Sequence, residues 1–210
     1  EYLSPNILKI KDKLLETARL VIIKLSPLID LKYLSTALPE IFQIDVIAVK
    51  NEVKEVLIYL RKEISTRTIC RCTNLESNDP FFEFNFGEEE SVNPDYSEPL
   101  RYIYLPNSAI MKSGGYNLLA AKFNLYKLHP NTHFYTSSEY YSGFPGRVLE
   151  VAEVSAKSIE KGQKFNIISK NYPLSPEEIK KKYKISDGGD KYLLFMSSVK
   201  KKHILMGSVV

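Results

Sequence analysis

The stretch that decides the fold of the first part of the chain is VIAVKNEVKEVLIYL, residues 46–60. It joins two apolar, β-branched runs by a few polar residues, and such a tight connection suits two antiparallel strands. Upstream, the continuous apolar run at residues 20–26 is typical of a doubly buried parallel strand. Residues 4–19 and 30–38 have helical patterns on either side of it. The predicted order is therefore helix, strand, helix, strand, strand.

Downstream, residues 65–90 alternate in two runs around a turn and predict a β-hairpin. The acidic, proline-bearing residues 87–99 predict a linker. One helix is expected over residues 108–125, although Gly114 and Gly115 lie inside it. Further strands are predicted at residues 133–138, 144–155, 163–173, 191–198 and 201–210.

The ends of three predicted helices carry local signals. Ser4 is the expected N-cap of the first helix, with Pro5 at the first helical position, and Ser108 is the expected N-cap of the third. The last helix begins with Ser175 as N-cap, and DGGD at residues 187–190 predicts a helix stop and a turn after it.

The composition bounds the class of protein. The chain has 210 residues, 44% of them hydrophobic, and a net charge of +4, which permits an anionic partner without requiring one. Cys70 and Cys72 alternate along a predicted strand, so they share a face but are poorly placed to bond each other. No stretch has the pattern of a signal peptide or a membrane span. We expect a cytoplasmic protein, and we expect EYLSPN to start a piece of a longer one.

Few motifs in the sequence indicate chemistry. It contains no phosphate-binding loop, dinucleotide fingerprint, zinc-protease motif or nucleophile elbow. His129 and His133 are four residues apart, but Pro130 and Asn131 break a helix there. On an extended segment the two rings would lie roughly 13 Å apart, too far to chelate one metal ion. The segment KLHPNTHFYTS, residues 127–137, therefore predicts a loop that enters a strand.

Basic and aromatic residues interleave in three segments, RYIYLPN, KLHPNTHFYTS and KFNIISKNYP. Such segments can hold phosphates with cations and stack bases on rings. Alternatively, the rings belong to the core and the lysines form a solvated face, and composition alone favours this second interpretation. The candidate substrate or RNA contacts are Arg101, Lys112, Lys127, His129, Asn131, His133, Lys164 and Lys170. Further lysines stand at Lys180–Lys182 and Lys200–Lys202.

The two halves of the chain resemble known pieces. Residues 4–62, with the phrases VIIKLSPLIDL and VIAVKNEVKEVLIYL, resemble the C-terminal end of a bacterial class I S-adenosylmethionine-dependent methyltransferase. Residues 101–139 resemble the opening of a THUMP-like domain, and FPGRVLEVAEV and residues 166–195 resemble its continuation. In that subfamily a small ferredoxin-like piece stands between the two.

The resemblance implies an α/β fold, in which the C-terminal part of a Rossmann-like methyltransferase sheet is followed by a small α+β THUMP-like domain. It implies three parts, residues 1–64 from the methyltransferase domain, residues 65–96 as a ferredoxin-like β segment and linker, and residues 97–210 as the THUMP-like domain. True THUMP domains accompany RNA-modifying enzymes, so the implied role is recruitment of RNA, such as tRNA or rRNA.

The same resemblance places the chemistry elsewhere. The glycine-rich cofactor loop, the acidic ribose ligand and the Asp/Asn-Pro motif of these enzymes are absent from the sequence. We therefore expect S-adenosylmethionine to be bound in a full-length protein by an upstream methyltransferase half, and this chain alone to be inactive. The alternative is a structural or protein-interaction module that orients or dimerises a methyltransferase acting on a protein or small molecule, and a homodimer is possible in either case.

Overall fold

A computed structural model of the chain describes residues 5–210. The chain divides into two compact units. The first is the described part of Glu1–Val92 together with Asn107–Leu118, and the second is Asn93–Pro106 together with Leu119–Val210. Each unit contains one β-sheet with strands in both orientations, so the fold is mixed α/β.

The first unit begins with a helix and a strand. Its elements up to residue 91 are α1 (Ile7–Thr17), β1 (Val21–Leu25), α2 (Leu31–Ala37), β2 (Ile41–Val49), β3 (Glu52–Leu60), β4 (Ile69–Leu75), β5 (Phe82–Asn85) and a 3₁₀ helix (Phe86–Ser91). The N-cap of α1 is Asn6, whose side chain accepts a hydrogen bond from the Leu8 amide at 3.1 Å. The predicted N-cap, Ser4, lies outside the described residues, and Pro5 precedes the cap instead of opening the helix.

The first sheet has the strand order β1-β3-β2-β4-β5. The strand β3 is antiparallel to both β1 and β2, which confirms the tight antiparallel connection at residues 46–60. The predicted hairpin is also confirmed, because β4 and β5 pair antiparallel, while β4 runs parallel to β2. The prediction for residues 20–26 is wrong: β1 pairs only with the antiparallel β3 among the described strands, and Ile22 is 54% exposed.

One face of the first sheet forms the core of this unit. The inward side chains alternate along the strands, as a half-buried sheet requires. They are Ile44, Val46, Ala48, Val56, Ile58, Leu60, Cys70, Cys72, Phe82 and Phe84. The two cysteines are free, as predicted, and a hydrogen bond with Cys72 together with burial raises the pKa of the Cys70 thiol. These thiols are part of the packed core.

The predicted helix at residues 108–125 is two helices, α3 (Ser108–Ser113) and α4 (Tyr116–Lys122). Asn107, not Ser108, is the N-cap of α3, since its side chain accepts from the Ile110 amide at 3.2 Å. Gly114 ends α3 with φ = 83°, a left-handed conformation that glycine adopts without strain. A Cβ on Gly115 would lie 2.6 Å from the Phe84 ring, so the ring packs against the backbone at a position where a larger side chain would not fit.

The second unit is built on a seven-stranded sheet. Its remaining elements are β6 (Tyr102–Pro106), β7 (Tyr126–Lys127), β8 (Tyr135–Ser137), β9 (Gly146–Glu153), a 3₁₀ helix (Ala156–Ser158), β10 (Lys164–Lys170), α5 (Pro176–Tyr183), β11 (Ser186–Ser197) and β12 (Lys202–Val209). The strand order is β10-β11-β12-β9-β6-β8-β7, and among these described strands β10 and β11 alone pair in parallel. The helix α5 connects these two strands, as a parallel crossover requires.

Apolar side chains cover both faces of this sheet. On one face, Leu193 and Phe195 pack with Ile179 of α5, and on the other, Leu194 and Met196 pack with Leu128 and other residues. The capping signal of α5 is confirmed, since the Ser175 hydroxyl accepts from the Glu178 amide and the Glu178 carboxylate accepts from the Ser175 amide.

The predicted turn at DGGD is wrong, because these residues lie inside β11. The pairing with β10 shifts there, from Phe165 opposite Asp187 to Asn166 opposite Tyr192. The extra residues form an irregularity in the strand, and Gly189 takes a φ of 77° within it. The left-handed residue that ends α5 is Lys184, with φ = 54°.

Candidate nucleic-acid interface

Four of the basic candidates lie together in the second unit. Lys127, His129 and His133 come from β7 and the loop after it, and Lys170 ends β10. Asn171, next to Lys170, places its side-chain nitrogen 3.1 Å from Nδ1 of His129. The charges of Lys127 and Lys170 are close enough to His133 to lower its pKa. We call Lys127, His129, His133 and Lys170 the basic cluster.

The loop at residues 128–133 is tied to the end of β11. The Val199 amide donates to the Leu128 carbonyl at 3.0 Å, and the Thr132 hydroxyl lies 3.5 Å from the Ser197 carbonyl. The Ser197 hydroxyl in turn donates to the Asn171 carbonyl at 2.5 Å. Since β10 and β11 are neighbouring parallel strands, these bonds hold the loop beside the end of β10. The fold thereby assembles the cluster from segments about forty residues apart.

Within the loop, backbone and side chain fix His129. The amide of Asn131 donates to Nδ1 of His129 at 3.1 Å, and the Thr132 amide donates to its carbonyl at 3.2 Å. Because Asn131 and Asn171 both present donors to Nδ1, this nitrogen is an acceptor, and Nε2 carries the proton of the neutral ring. His129 can therefore offer an N–H donor to a ligand. The predicted loop into a strand is confirmed, because the loop leads into β8 at Tyr135–Ser137.

His133 is a neutral residue inside a positive environment. It is half-buried, and its pKa is lowered from 6.5 to about 4 by burial and by the charges of Lys127 and Lys170. Its backbone has φ = 52°, in the left-handed region. At neutral pH His133 therefore adds no positive charge to that of Lys127 and Lys170.

The cluster has a buried and an exposed part. Lys127 is only 4% exposed, and its backbone amide donates to the Asp95 carbonyl at 2.8 Å. Lys170 is exposed. It is the cluster lysine that a ligand in solvent can reach, whereas Lys127 acts as a charge held beneath the surface.

Other polar groups stand at the same end of the sheet. Lys202 pairs in register with Ser197 at the end of β11, and its ammonium lies 6.0 Å from the centre of the half-buried Tyr172 ring. Asn171 and Tyr172 were not among the candidates. The sequence KNY at residues 170–172 could have suggested them, because it places a basic, an amide and an aromatic side chain together at the end of β10. The parallel pairing of β10 with β11 is what brings these residues to the loop.

The remaining candidates are elsewhere. Arg101 forms an ion pair with Glu150 at 2.8 Å. Lys164 is at the opposite end of β10 from Lys170, next to Gly188 and Gly189. Lys112 belongs to the first unit and donates to the Ile29 carbonyl at 2.5 Å. These three residues are not part of the basic cluster.

Two further features bear on the function of the described residues, a metal site and a membrane-spanning helix. Across residues 5–210 there is no group of three or more His, Cys, Asp or Glu side chains that could hold a metal ion. No helix in the same residues is long and apolar enough to cross a membrane.

Comparisons with known proteins find two domain families in the chain. Residues 102–145 match a ferredoxin-like domain family, and residues 146–207 match a THUMP domain-like family. The ferredoxin-like match lies downstream of residues 65–96, to which the resemblance assigned that piece, and the three-part division of the chain stays a prediction. None of the curated proteins compared with the chain matches it significantly.

A solved structure is similar over nearly the whole chain. It is the crystal structure of a putative methyltransferase from Porphyromonas gingivalis W83, with 29% sequence identity and a TM-score of 0.86. The similarity covers 98% of this chain but 55% of that one, so the chain spans about half the length of its relative. The resemblance is confirmed: the chain is similar to part of this methyltransferase and carries ferredoxin-like and THUMP domain-like segments.

Proposed function

We propose that the chain is the substrate-recruiting, RNA-binding C-terminal region of an S-adenosylmethionine-dependent methyltransferase. The first sheet is then the end of a Rossmann-like methyltransferase sheet, with β3 as its antiparallel strand. The THUMP domain-like match and the methyltransferase relative support this role. The observation that carries it is the basic cluster, which the fold assembles at one end of the second sheet.

The basic cluster and its neighbours Asn131, Tyr172 and Lys202 offer the groups that RNA recognition uses. Lys170 and Lys202 bind phosphates, and Nε2–H of His129 donates to a phosphate or a 2′-hydroxyl. The side-chain amide of Asn131 adds a hydrogen-bonding group, and the ring of Tyr172 adds a stacking surface. Phosphate contacts dominate this set, so it favours RNA as a class and implies little preference for base sequence. tRNA and rRNA are both suitable ligands.

S-adenosylmethionine does not fit the described residues. Class I methyltransferases bind it with a glycine-rich loop between a strand and a helix. Here Gly114 and Gly115 follow the helix α3, and Gly188 and Gly189 lie inside β11. The cofactor would therefore be held by an upstream methyltransferase half, in a cytoplasmic full-length enzyme, and this chain alone would not methylate RNA.

The test is a fluorescence titration of labelled mixed tRNA with the chain at about 50 and 200 mM salt. We expect binding that weakens steeply with salt. The double variant Lys170→Gln/Lys202→Gln should weaken binding several-fold and lower the salt dependence by about two released counterions. The double variant Lys164→Gln/Lys182→Gln removes the same charge at sites outside the cluster and should bind as the wild type does. Equal losses in both variants would contradict a localised site.

A second function is favoured by one observation. The strand β1 is an edge among the described strands, and Leu20, Ile22 and Leu28 near it are 45%, 54% and 92% exposed. Such an edge can pair with another strand, so the chain could serve to dock on the upstream half or on a second copy of itself. In that case neutralising Lys170 and Lys202 would leave the activity of a full-length enzyme unchanged. Light scattering would show whether the chain is a homodimer.

A further inference from the structure

A pocket of about 700 Å³ lies within the first unit. Its walls come from the loop into α2, from the 3₁₀ helix at Phe86–Ser91 and from the end of α3. A volume of this size is in the range of small-molecule sites, which run from about 300 to 1,000 Å³. The 3₁₀ helix Phe86–Ser91, which overlaps the start of the predicted linker at residues 87–99, forms one side of this pocket.

Side-chain bonds hold the walls together. Lys112 of α3 donates to the Ile29 carbonyl at 2.5 Å, and Lys32 of α2 forms an ion pair with Glu90 of the 3₁₀ helix. Glu89 accepts from the amides of Asn117 and Leu118 at 2.7 and 3.0 Å. All three walls are therefore anchored before any ligand arrives, which lowers the entropy cost of binding.

The pocket has an aromatic side. Phe84 and Phe86 are stacked, with ring centres 6.4 Å apart and an angle of 27° between their planes. Phe84 is buried, whereas Phe86 is half-buried and presents part of its ring to the pocket. A planar ring can therefore extend this stack.

The polar side is rich in hydrogen-bond acceptors. Asp30, Glu89 and Glu90 contribute three carboxylates, against the ammonium groups of Lys32 and Lys112. Both lysines already donate to protein oxygens, and each carboxylate has about four acceptor positions. Hydrogen bonds from the Tyr33 and Lys32 amides lower the pKa of Asp30, and the bond from Lys32 lowers the pKa of Glu90. These acids are ionised at neutral pH, and the pocket therefore favours a ligand that donates.

We propose that this pocket takes one unpaired, amino-bearing nucleobase of the RNA. The base lies against Phe86, and its exocyclic amino group donates to Glu90 or Asp30. Adenine, cytosine and guanine carry such a group, and uracil does not. This inference rests on the proposed RNA-binding function, but it concerns residues of the first unit, none of which belongs to the basic cluster.

The aromatic side of the pocket distinguishes a nucleobase from an aliphatic polyamine. An aliphatic polyamine would satisfy the carboxylates but would leave the aromatic side unused. Stacking of a base on an aromatic side chain is a large term in the recognition of unpaired RNA, and it is lost when the ring is removed. Phe86 is therefore the residue whose replacement discriminates between them.

The test uses 2-aminopurine riboside, a fluorescent nucleoside whose emission falls when its base stacks on a ring. We expect the wild-type chain to quench it saturably, and adenosine and cytidine to compete better than uridine. Phe86→Leu, which keeps the apolar volume, should weaken binding about tenfold. The matched control is Phe81→Leu, because Phe81 is 63% exposed on the same segment but does not line the pocket.

Amide chemical shifts of ¹⁵N-labelled wild-type chain provide a readout that does not depend on the variants folding. Added cytidine should shift residues 28–36 and 86–90. The proposal is overturned if the nucleoside does not bind, if Phe86→Leu and Phe81→Leu behave alike, or if spermidine displaces it better than cytidine does. If the wild-type chain binds tRNA but not the nucleoside, the nucleobase pocket is refuted and the proposed RNA-binding function stands. If the wild-type chain binds the nucleoside but not tRNA, the RNA-binding role of the basic cluster is refuted.

Discussion

The neutral His133 predicts how the stability of the second unit depends on pH. Its pKa is lowered from 6.5 to about 4 in the folded chain, by burial first and then by the charges of Lys127 and Lys170. Above pH 6.5 the ring is neutral in both the folded and the unfolded chain, so stability is unaffected. As the pH falls through 6.5 the unfolded chain binds the proton first, and stability is lost until the folded ring titrates near pH 4.

The size of the loss follows from the shift. Comparing a site with pKa 6.5 with one near 4 gives a loss of about 2 kcal/mol at pH 5, rising towards about 3 kcal/mol at pH 4. These figures are upper bounds, because a half-buried ring keeps some access to solvent. The variant His133→Asn removes the titrating group and suits the backbone, since asparagine tolerates the φ of 52° found there.

The assay is urea unfolding at pH 7.5, 6 and 5, followed by circular dichroism. Amide hydrogen exchange in β11 and β12 reports the second unit separately from the first. The free energy of unfolding should fall more between pH 7.5 and 5 for the wild type than for His133→Asn. This comparison holds even if the two chains differ in stability at pH 7.5. His129→Asn, which removes the other histidine of the loop, should keep the wild-type loss. Parallel curves for the wild type and His133→Asn would refute the reasoning.

Two glycine variants with a glycine control test the packing, and one further variant tests helix capping. A Cβ on Gly207 would lie 2.1 Å from the Glu150 carbonyl across the β9–β12 pair, so Gly207→Ala should cost about 3 kcal/mol in urea unfolding. Gly115→Ala should cost about 1–3 kcal/mol and alter the environment of Phe84, because the new methyl group meets its ring. Gly87→Ala, whose Cβ would come no closer than 4.0 Å to other atoms, is the control for both and should be nearly neutral. Ser175→Ala breaks the capping box of α5 and should cost about 1 kcal/mol; an unchanged unfolding midpoint would contradict that role.

The parts of the fold that could be predicted are those with local causes. The antiparallel connection at residues 46–60 and the capping box at Ser175 depend on neighbouring residues alone. The break between α3 and α4 begins at Gly114, whose left-handed φ of 83° ends α3. The need for glycine at the next position has a distant cause, since Phe84 of β5 occupies the space a side chain at residue 115 would need. The edge position of β1 likewise depends on which strands join the sheet, which no run of apolar residues reveals.

The candidate site shows the same division. Lys127, His129 and His133 could be proposed together because they lie within seven residues of each other. That Lys170 joins them while Lys164 does not depends on the direction of β10 and its pairing with β11. Arg101 and Lys112 were proposed for the same reason, their positive charge. In the structure Arg101 pairs with Glu150, and Lys112 donates to the Ile29 carbonyl. Residue type suggested the candidates, and strand order selected among them.

The electrostatics of the basic cluster assign different tasks to its members. Burial of the ring, together with the charges of Lys127 and Lys170, keeps His133 neutral at pH 7, so His133 offers no positive charge to an RNA ligand there. We assign the attraction for phosphate to the exposed Lys170 at the end of β10 and the exposed Lys202 at the start of β12. RNA binding should therefore change little between pH 8 and 6 through His133, and His133→Asn should bind RNA like the wild type over that range. A pH-dependent affinity that His133→Asn abolishes would show that the ring meets RNA as a cation, and that the bound state raises its pKa.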